Sequence, residues 1–320
     1  MIMKLKYYFI VGVVLILAGC QTYRPINFTV ATYNMRYANS SDSVSGNGWE
    51  QRYPVIAKMV QFHGFDIFGT QECLLHQLKD LKKVLSGYDY IGVGRDDGKD
   101  QGEHSAIFYR TDKFELLEKG DFWLSDTPEI PSRGWDASLP RICSWGHFKC
   151  KDTGFEFLFF NLHMDDRGQK ARIESVYLVQ KKMKEINKNL PAILTGDFNV
   201  DQHSKPYKLL VAQGNLYDSY EITDLRYITN GTFNGFNPND FIEDRIDHVF
   251  VSPGFHVIKY GVLTDTYRSK VGGKEQADVE DAPKEIAVET YQARVPSDHF
   301  PLEVELSFCK KVSLKPFHDH

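Results

Sequence analysis

Six short polar motifs follow predicted strands, and their side chains are those that metal-assisted hydrolysis of a phosphate ester requires. A hard cation such as Mg²⁺ takes oxygen ligands, usually one or two carboxylates with water and substrate phosphate. Hydrolysis also needs an aimed water and donors for the developing charge. The motifs supply carboxylates, amides and imidazoles in this order along the chain: Tyr33-Asn34, Gln71-Glu72, Asn161-Leu162-His163, Gly196-Asp197-Phe198-Asn199, Arg245-Ile246-Asp247 and Ser297-Asp298-His299.

Each motif taken alone also has a purely structural explanation. Asn34 is typical of a turn that ends a strand. Glu72 precedes a leucine-rich helix, where the helix dipole favours an acidic residue. Asp197 and Asn199 share one side of an extended chain because side chains alternate, although Asp-x-Asn is also an ordinary turn. The occurrence of all six in one chain favours a site.

The elements that must position these motifs follow from hydrophobic periodicity. Apolar residues at helical spacing predict helices over 51–62, 74–85 and 172–186. A polar turn at 151–154 predicts a hairpin between two strands. Many strands, some in hairpins and some joined by helices, indicate two packed sheets with helices outside. Strands are predicted over 28–33, 65–69, 88–93, 106–109, 114–117, 142–150, 155–162, 192–194, 246–251 and 302–306.

The N-terminus is typical of a secretory signal rather than of a folded element. Lys4 and Lys6 precede an apolar stretch over 7–18, which is shorter than the roughly 20 residues of a membrane-spanning helix. The sequence Leu-Ala-Gly-Cys at 17–20 resembles the bacterial lipobox, which implies cleavage before Cys20 and its lipidation. We expect an exported lipoprotein anchored on the periplasmic side or at the cell surface; an ordinary signal peptide is the alternative.

Charge and cysteine content exclude several classes of protein. The 320 residues hold 38 Lys and Arg against 43 Asp and Glu, a net charge of −5. Removal of residues 1–19, which carry two lysines, leaves −7. This balance argues against a protein that coats nucleic acid, although it does not exclude a nuclease. The cysteines after Cys20 are too few for a disulfide scaffold, and we expect buried thiols at Cys73, Cys143, Cys150 and Cys309.

The chain has no linker that would divide it into two domains. We expect a signal peptide over 1–19, a tether over 20–26, one catalytic domain over 27–309 and a frayed tail over 310–320. We expect the protein to be a monomer. A charged segment without periodicity, 267–296, is expected to be an exposed excursion before the last motif.

Four segments resemble the endonuclease/exonuclease/phosphatase superfamily, nearest to its bacterial deadenylase/nocturnin-like group. They lie at 31–36, 69–72, 195–199 and 296–301, and the resemblance extends over about 28–308. It implies a four-layered α/β sandwich of two mostly antiparallel sheets flanked by helices. It also implies a metal site with Glu72 as principal ligand, Asn34 and Asp298 as further contacts, and Mg²⁺, or alternatively Mn²⁺, as the ion.

The same resemblance implies the catalytic roles. Asp197 would orient or deprotonate the attacking water, and Asn199 would bind phosphate or metal. His299 would contact phosphate, with Asp247 accepting a hydrogen bond from its other ring nitrogen. Asn34 would also bind phosphate oxygen.

Three further residues are predicted near the phosphate. His163 would touch the scissile phosphate or protonate the leaving group, and Glu103 would brace this histidine, with an acid on a surface loop as the alternative for Glu103. Arg167 could clamp a second substrate group, although an arginine on an exposed loop is more often simply solvated. Apurinic endonucleases carry tyrosine at the position of His163, which argues against abasic-site repair.

Three functions remain open from the sequence. The first is a phosphatase or phosphodiesterase acting on small exported-compartment esters by in-line attack of water. The second is a nuclease acting on extracellular DNA or RNA. The third is an inactive surface-binding lipoprotein, which the full set of motifs disfavours. A basic groove would favour the nuclease, whereas a closed pocket walled by Trp49, Trp135 or the segment 267–296 would favour a small ester.

Overall fold

The computed structural model describes residues 25–227, 230–270, 283 and 290–309. The predicted signal peptide, the lipidation site at Cys20, most of the tether and the tail lie outside these residues. So does most of the predicted excursion, whose two described ends pair as strands. Within the described part of the chain, no helix is long and apolar enough to cross a membrane.

The described part of the chain contains six helices and fifteen strands. The helices are α1 (Ser40–Val44), α2 (Trp49–His63), α3 (Leu75–Val84), α4 (Gln169–Ile186), α5 (Lys205–Val211) and α6 (Ser219–Ile222). The strands are β1 (Pro25–Asn34), β2 (Ile67–Gln71), β3 (Tyr88–Ile91), β4 (Ile107–Arg110), β5 (Phe114–Trp123), β6 (Ile142–Cys150), β7 (Glu156–His163), β8 (Ala192–Asp197), β9 (Tyr217–Asp218), β10 (Leu225–Tyr227), β11 (Asp247–Val251), β12 (Phe255–Val262), β13 (Tyr267–Lys270), β14 (Tyr291–Arg294) and β15 (Leu302–Cys309).

Most of these strands form two large sheets. The first has the order β10-β12-β15-β1-β2-β4-β3, and the second has the order β5-β6-β7-β8-β11-β9. The pairs β1–β2, β7–β8 and β10–β12 are parallel, and the other pairs are antiparallel. A separate ribbon joins β13 to β14. The predicted mostly antiparallel arrangement is confirmed.

Side-chain alternation on the central strands divides the interior into layers. On β1, Phe28 and Val30 pack in the core between the sheets, whereas Ala31 and Tyr33 pack with residues of α2 and α3. On β7, Phe157 and Phe159 pack between the sheets, and the alternate residues pack with α4 and α5. Both sheets are therefore covered on both faces, which confirms the four-layered sandwich.

The predicted elements are present, and the largest differences lie at β-bulges. Strand β5 was predicted only over 114–117 but extends to Trp123, and β12 was not predicted. The register of β5 shifts between Leu116 and Glu118, and that of β12 shifts between Val257 and Lys259. A bulge inserts one residue, so the apolar/polar alternation changes phase and no longer marks a strand.

Cys143 and Cys150 lie on opposite faces of β6, as their odd spacing predicts. Cys143 packs in the core on the α4 side, and Cys150 packs against the core between the sheets. Cys73 and Cys143 are buried, Cys150 is half-buried, and all three are free thiols.

Candidate active site

The site lies where the rows of inward-facing residues on four central strands end. On β1, β7 and β8 the row is apolar at its start and ends in Asn34, His163 and Asp197 respectively. Asp247 begins β11 and pairs with Asp197, so the antiparallel β11 brings its first residue to the same edge. These four side chains are buried. The β-alternation that forms the core therefore also gathers the polar residues at one edge of the sandwich.

A layer of polar residues joins the two sheets directly beneath this edge. The Asn161 amide donates to the carbonyls of Thr70 and Ala106, and its oxygen accepts from Gln71 Nε2 at 2.7 Å and Thr195 Oγ1 at 3.1 Å. Although Gln71 and Asn161 belong to the polar motifs, they lie in this layer below Glu72 and His163. They position the motifs rather than contribute to the open site.

Asn34 connects two carboxylates. Its Nδ2 donates to Glu72 Oε1 at 3.0 Å and to Asp197 Oδ2 at 2.9 Å. The other oxygen of Glu72 accepts from the backbone N–H of Tyr37 at 3.2 Å. Glu72 has a φ of 65°, a region that non-glycine residues seldom occupy, so its backbone conformation is held by these contacts. The amide therefore holds two negative groups at a fixed separation.

Asp197, Asp247 and His299 form a buried charged cluster. His299 Nδ1 lies 2.8 Å from Asp247 Oδ2, and His299 Nε2 lies 3.8 Å from Asp197 Oδ2. Burial lowers the pKa of His299, but the Asp247 and Asp197 carboxylates outweigh it and raise that pKa to about 10. Burial, and then the Asp247 charge, raises the pKa of Asp197 to about 7. His299 is thus a cation that faces Asp197.

His163 is held as a neutral imidazole. Its Nε2 lies 3.1 Å from Arg141 Nη1 and 3.1 Å from Asn199 Nδ2, both of which are donors. Nε2 therefore accepts, and Nδ1 carries the proton. Burial, followed by the charges of Arg141 and Arg95, holds the pKa of His163 well below its usual range. This arrangement leaves Nε2 without a proton to give, unlike the predicted donor to a leaving group.

Glu103 lies on the Nδ1 side of His163, where the sequence predicted a bracing carboxylate. The distance from His163 Nδ1 to Glu103 Oε2 is 3.9 Å, which is too long for a hydrogen bond. Glu103 instead receives two hydrogen bonds from Arg95, at 2.7 and 2.8 Å. Burial is the main reason why the pKa of Glu103 is raised, to about 7.

Two buried arginines, which the sequence analysis did not assign to the site, also lie in it. Arg95 and Arg141 line one narrow cleft together with Glu72, Glu103, His104, Ser105, Ile142 and His163. Arg141 also contacts Asp165 and Asp166. The predicted hairpin contained the signal for this residue: Cys143 pairs with Leu162, so the residue before β6 must lie near His163, which ends β7.

Arg167 is not brought into the site. Its side chain is 81% exposed and pairs only with Asp166, at 3.4 Å, among the contacts of the described residues. The cation beside His163 is therefore Arg141, which directly precedes the neighbouring strand β6 and does not belong to the loop that follows His163.

Asp298 completes the acidic side of the site. Its Oδ2 lies 3.5 Å from Arg36 Nη1. Burial raises the pKa of Asp298, and the nearby negative charge of Glu72 raises it further. The buried carboxylate of Asp298 and the half-buried carboxylate of Glu72 repel each other. Their oxygens are hard donors of the kind that Mg²⁺ and Mn²⁺ prefer. This donor set fits the predicted metal site.

A different group has the tightest cluster of metal-ligand atoms in the described part of the chain. The candidate ligand atoms of Asp197, Asp247 and His299 lie within 4.8 Å of one another. However, a hard cation prefers oxygen donors, and this cluster includes an imidazole whose Nδ1 lies 2.8 Å from Asp247 Oδ2. The two carboxylates of Glu72 and Asp298 therefore suit Mg²⁺ better than this cluster does.

Comparison with known proteins agrees with this geometry. Residues 31–299 match the model of the Endonuclease/Exonuclease/phosphatase family. The chain belongs to this family. It is therefore an enzyme that hydrolyses phosphate esters, and the family depends on a divalent metal. An uncharacterised protein of Acanthamoeba polyphaga mimivirus is 30% identical over 232 residues, 67% of this chain and 82% of that protein.

Solved structures include two similar proteins from Bacteroides thetaiotaomicron. A family member is 68% identical with a TM-score of 0.83, over 89% of this chain and 99% of that one. A mannosyl-6-phosphatase is 70% identical with a TM-score of 0.80, over 88% of this chain and 100% of that one. The human nocturnin catalytic domain shares the fold, at 16% identity and a TM-score of 0.61, over 89% of this chain and 97% of that one.

Proposed function

We propose that the protein is a phosphomonoesterase that removes phosphate from carbon 6 of a mannose residue. The observation that carries the proposal is 70% identity to a mannosyl-6-phosphatase across the whole of that chain. Two buried arginines, Arg95 and Arg141, line the narrow cleft that Glu72 and His163 also line, and their guanidinium groups already donate to Glu103 and to Asp165 and Asp166 respectively. They support a monoester through their positive charge, because a terminal phosphate carries more negative charge than a diester does.

The enzyme would require Mg²⁺, held by Glu72 with Asp298 as a further ligand and Asn34 beside them. When bound, the ion would polarise a phosphoryl oxygen and neutralise negative charge on the ester. Asn34 keeps Glu72 oriented through the hydrogen bond from Nδ2. The backbone of Glu72 is in the left-handed region, which is unfavourable for this residue, so the surrounding structure must impose it.

In this proposal Asp197 receives a proton from the attacking water. Its Oδ1 is occupied by the backbone N–H of Asn199, and its Oδ2 accepts from Asn34. These bonds fix the carboxylate, and its pKa of about 7 suits a base that works near neutral pH. His299 supplies a positive charge beside it, and Arg141 supplies another beside His163. Both cations would stabilise the charge that develops on the phosphoryl oxygens.

The surroundings of the site favour a small ester over a nucleic acid. The cavity of about 450 Å³ that Asn199 lines has two acidic residues, Asp201 and Asp244, and two basic ones, Arg172 and Lys205, and Asp166 is exposed beside Arg141. The lining of this cavity therefore has no excess of positive charge, whereas a groove that binds a polyanion needs one. Trp49 does not wall the site, because it is 4% exposed and its indole N–H donates to Asp80. Trp135 is half-buried, with a φ of 49°.

We also propose that the enzyme is exported and anchored to a membrane through Cys20. The basic, apolar and small-residue segments before Cys20 support this proposal. The test is expression of the full chain and of Cys20→Ala in a bacterium, followed by fractionation and detection of the lipid by mass spectrometry. Wild type is expected in the membrane fraction with a lipid at Cys20. Recovery of wild type without lipid would exclude the anchor.

The activity is tested with protein that lacks residues 1–20. Phosphate release is measured from mannose 6-phosphate, glucose 6-phosphate and inositol phosphates, and cleavage is measured with poly(A) RNA and plasmid DNA, in Mg²⁺ or EDTA. We expect metal-dependent turnover of mannose 6-phosphate that Glu72→Ala and His299→Ala abolish. The same turnover in EDTA would exclude the metal, and turnover of only the nucleic acids would replace the phosphatase by a nuclease.

A further inference from the structure

Phe233 is an exposed aromatic residue beside the most buried part of the site. It is 43% exposed, whereas His299, which it contacts, is 5% exposed. The two rings meet edge to face, with centroids 5.2 Å apart and an interplanar angle of 79°. Their backbones also form an isolated β-bridge. An apolar surface thus begins where the proposed phosphate contact ends.

The backbone on either side of Phe233 is tied to the catalytic segments. The carbonyl of Thr232 accepts from Phe300 N at 2.6 Å, and its Oγ1 accepts from Asp247 N at 3.1 Å. Asn234 N donates to the carbonyl of Asp298 at 2.7 Å. The residues before and after Phe233 are therefore fixed to the segments that carry His299 and Asp247. This exposed ring is held in place, unlike the side chain of a loose surface loop.

The residue after Asn234 leaves space beside the ring. Gly235 has a φ of +56°, and a Cβ added there would lie 3.7 Å from two carbons of the Phe233 ring. Any side chain at this position would extend along the ring and cover part of its exposed surface. Glycine is also the residue that best accepts this left-handed backbone. The ring is thus open to solvent on a rigid support.

We propose that Phe233 is the platform on which the sugar ring of the substrate stacks, and that it determines the preference for a hexose phosphate. This inference rests on the proposed function, because it concerns the non-phosphate part of the same substrate. A hexose has a face of C–H groups, and an aromatic ring gains dispersion contacts and excludes water when such a face covers it. With the phosphate near His299, the rest of the ester extends past the neighbouring ring of Phe233.

The test compares a substrate that has a sugar ring with one that has none. The values of kcat/KM for mannose 6-phosphate and for ethyl phosphate are measured at one Mg²⁺ concentration in wild type, Phe233→Ala, Phe233→Trp and Phe62→Ala. Phe62 is a matched control, since it is 86% exposed and its ring meets the neighbouring His63. We expect the ratio of the two values to fall about tenfold in Phe233→Ala, through a higher KM for the sugar. We expect Phe233→Trp and Phe62→Ala to keep the wild-type ratio.

Two outcomes overturn the platform and one overturns the proposed function as well. If kcat/KM for both esters falls equally in Phe233→Ala, the ring acts only by supporting His299. If the ratio does not change, the ring has no role in sugar binding. Both results leave the phosphatase intact, because wild type still prefers the sugar ester. A wild type without preference for mannose 6-phosphate over ethyl phosphate overturns both proposals. The inhibition constant of inorganic phosphate, measured in parallel, reports whether the anion site of each variant is preserved.

Discussion

Arg141 Nη1 lies 3.1 Å from His163 Nε2, and this contact decides the protonation of the histidine. A guanidinium group only donates hydrogen bonds, so the imidazole nitrogen must accept. The Asn199 amide donates to the same nitrogen and to the carbonyl of Met164, which fixes the orientation of the amide. The positive charge on this side of the cleft therefore belongs to Arg141 rather than to His163.

The first prediction concerns this guanidinium group. Arg141→Lys keeps the charge but removes the forked donor that reaches His163 and two aspartates, so kcat/KM should fall about 100-fold. Arg167→Lys is the matched control, because Arg167 is 81% exposed and lies in the adjacent loop. It should change kcat/KM less than twofold. The kcat/KM values of both variants are measured by steady-state kinetics with mannose 6-phosphate. Circular dichroism verifies that both variants are folded. Equal losses in the two variants would contradict the assignment.

The second prediction concerns the pH dependence of kcat/KM. Asp197 must be ionised to accept a proton, and its raised pKa of about 7 means that activity rises as pH increases through 7. His299 must be protonated to stabilise charge, and its raised pKa of about 10 means that activity falls as pH increases through 10. A plateau between these values is expected.

Asp247→Asn tests the cause of both limbs. The negative charge of Asp247 raises the pKa of His299 and that of Asp197. Its removal should move the alkaline and acidic limbs of the profile to lower pH, with the larger shift on the alkaline side. Profiles from pH 5 to 11 at a saturating Mg²⁺ concentration measure this. An alkaline limb that stays in place would show that His299 does not produce it.

The third prediction concerns the metal ligands. Glu72→Gln keeps the shape of the side chain but removes a negative charge, so the Mg²⁺ concentration for half-maximal activity should rise more than tenfold. Asp298→Asn should raise it less, because Arg36 already balances part of that charge. Glu50→Gln, at an exposed acid on α2, is the control and should behave as wild type. Isothermal titration with Mg²⁺ checks binding separately from turnover. Unchanged binding in Glu72→Gln would exclude Glu72 as a ligand.

The fourth prediction concerns the polar layer between the sheets. Asn161→Leu has a similar volume but removes the side-chain donor to the carbonyls of Thr70 and Ala106 and the acceptor for Gln71 Nε2, although Ala106 keeps its bond from Thr70 N and Gln71 keeps its bond to Thr32. Buried polar groups that lose a partner are costly, so the free energy of unfolding should fall by about 3 kcal/mol. Urea unfolding measures the loss. Asn187→Leu, at the end of α4, should lower the free energy of unfolding by about 1 kcal/mol. A similar loss in both variants would show that the polar layer between the sheets makes no special contribution to stability.

Much of the fold and of the site could be predicted from local pattern. The apolar alternation that ends in a polar residue marks β1, β7 and β8 and leads to Asn34, His163 and Asp197. The pattern fails at bulges, as in β12, because one inserted residue reverses which side chains are buried. The roles of two motif residues also could not be separated: Asn161 and His163 share a face of β7, yet Asn161 joins the sheets and His163 lies at the open edge.

The sequence by itself determined which chemical groups exist and at which strand ends they lie, because side-chain alternation is a property of the local backbone. The tertiary structure decided which of those groups meet. Asn34 and Asp197 are 163 residues apart, and Arg141, just before β6, is 22 residues from His163 at the end of β7. Such contacts depend on strand register and on how the two sheets pack, which burial of the whole core sets. That is why Arg141 became part of the site and Arg167, in the same loop as the motif, remained in solvent.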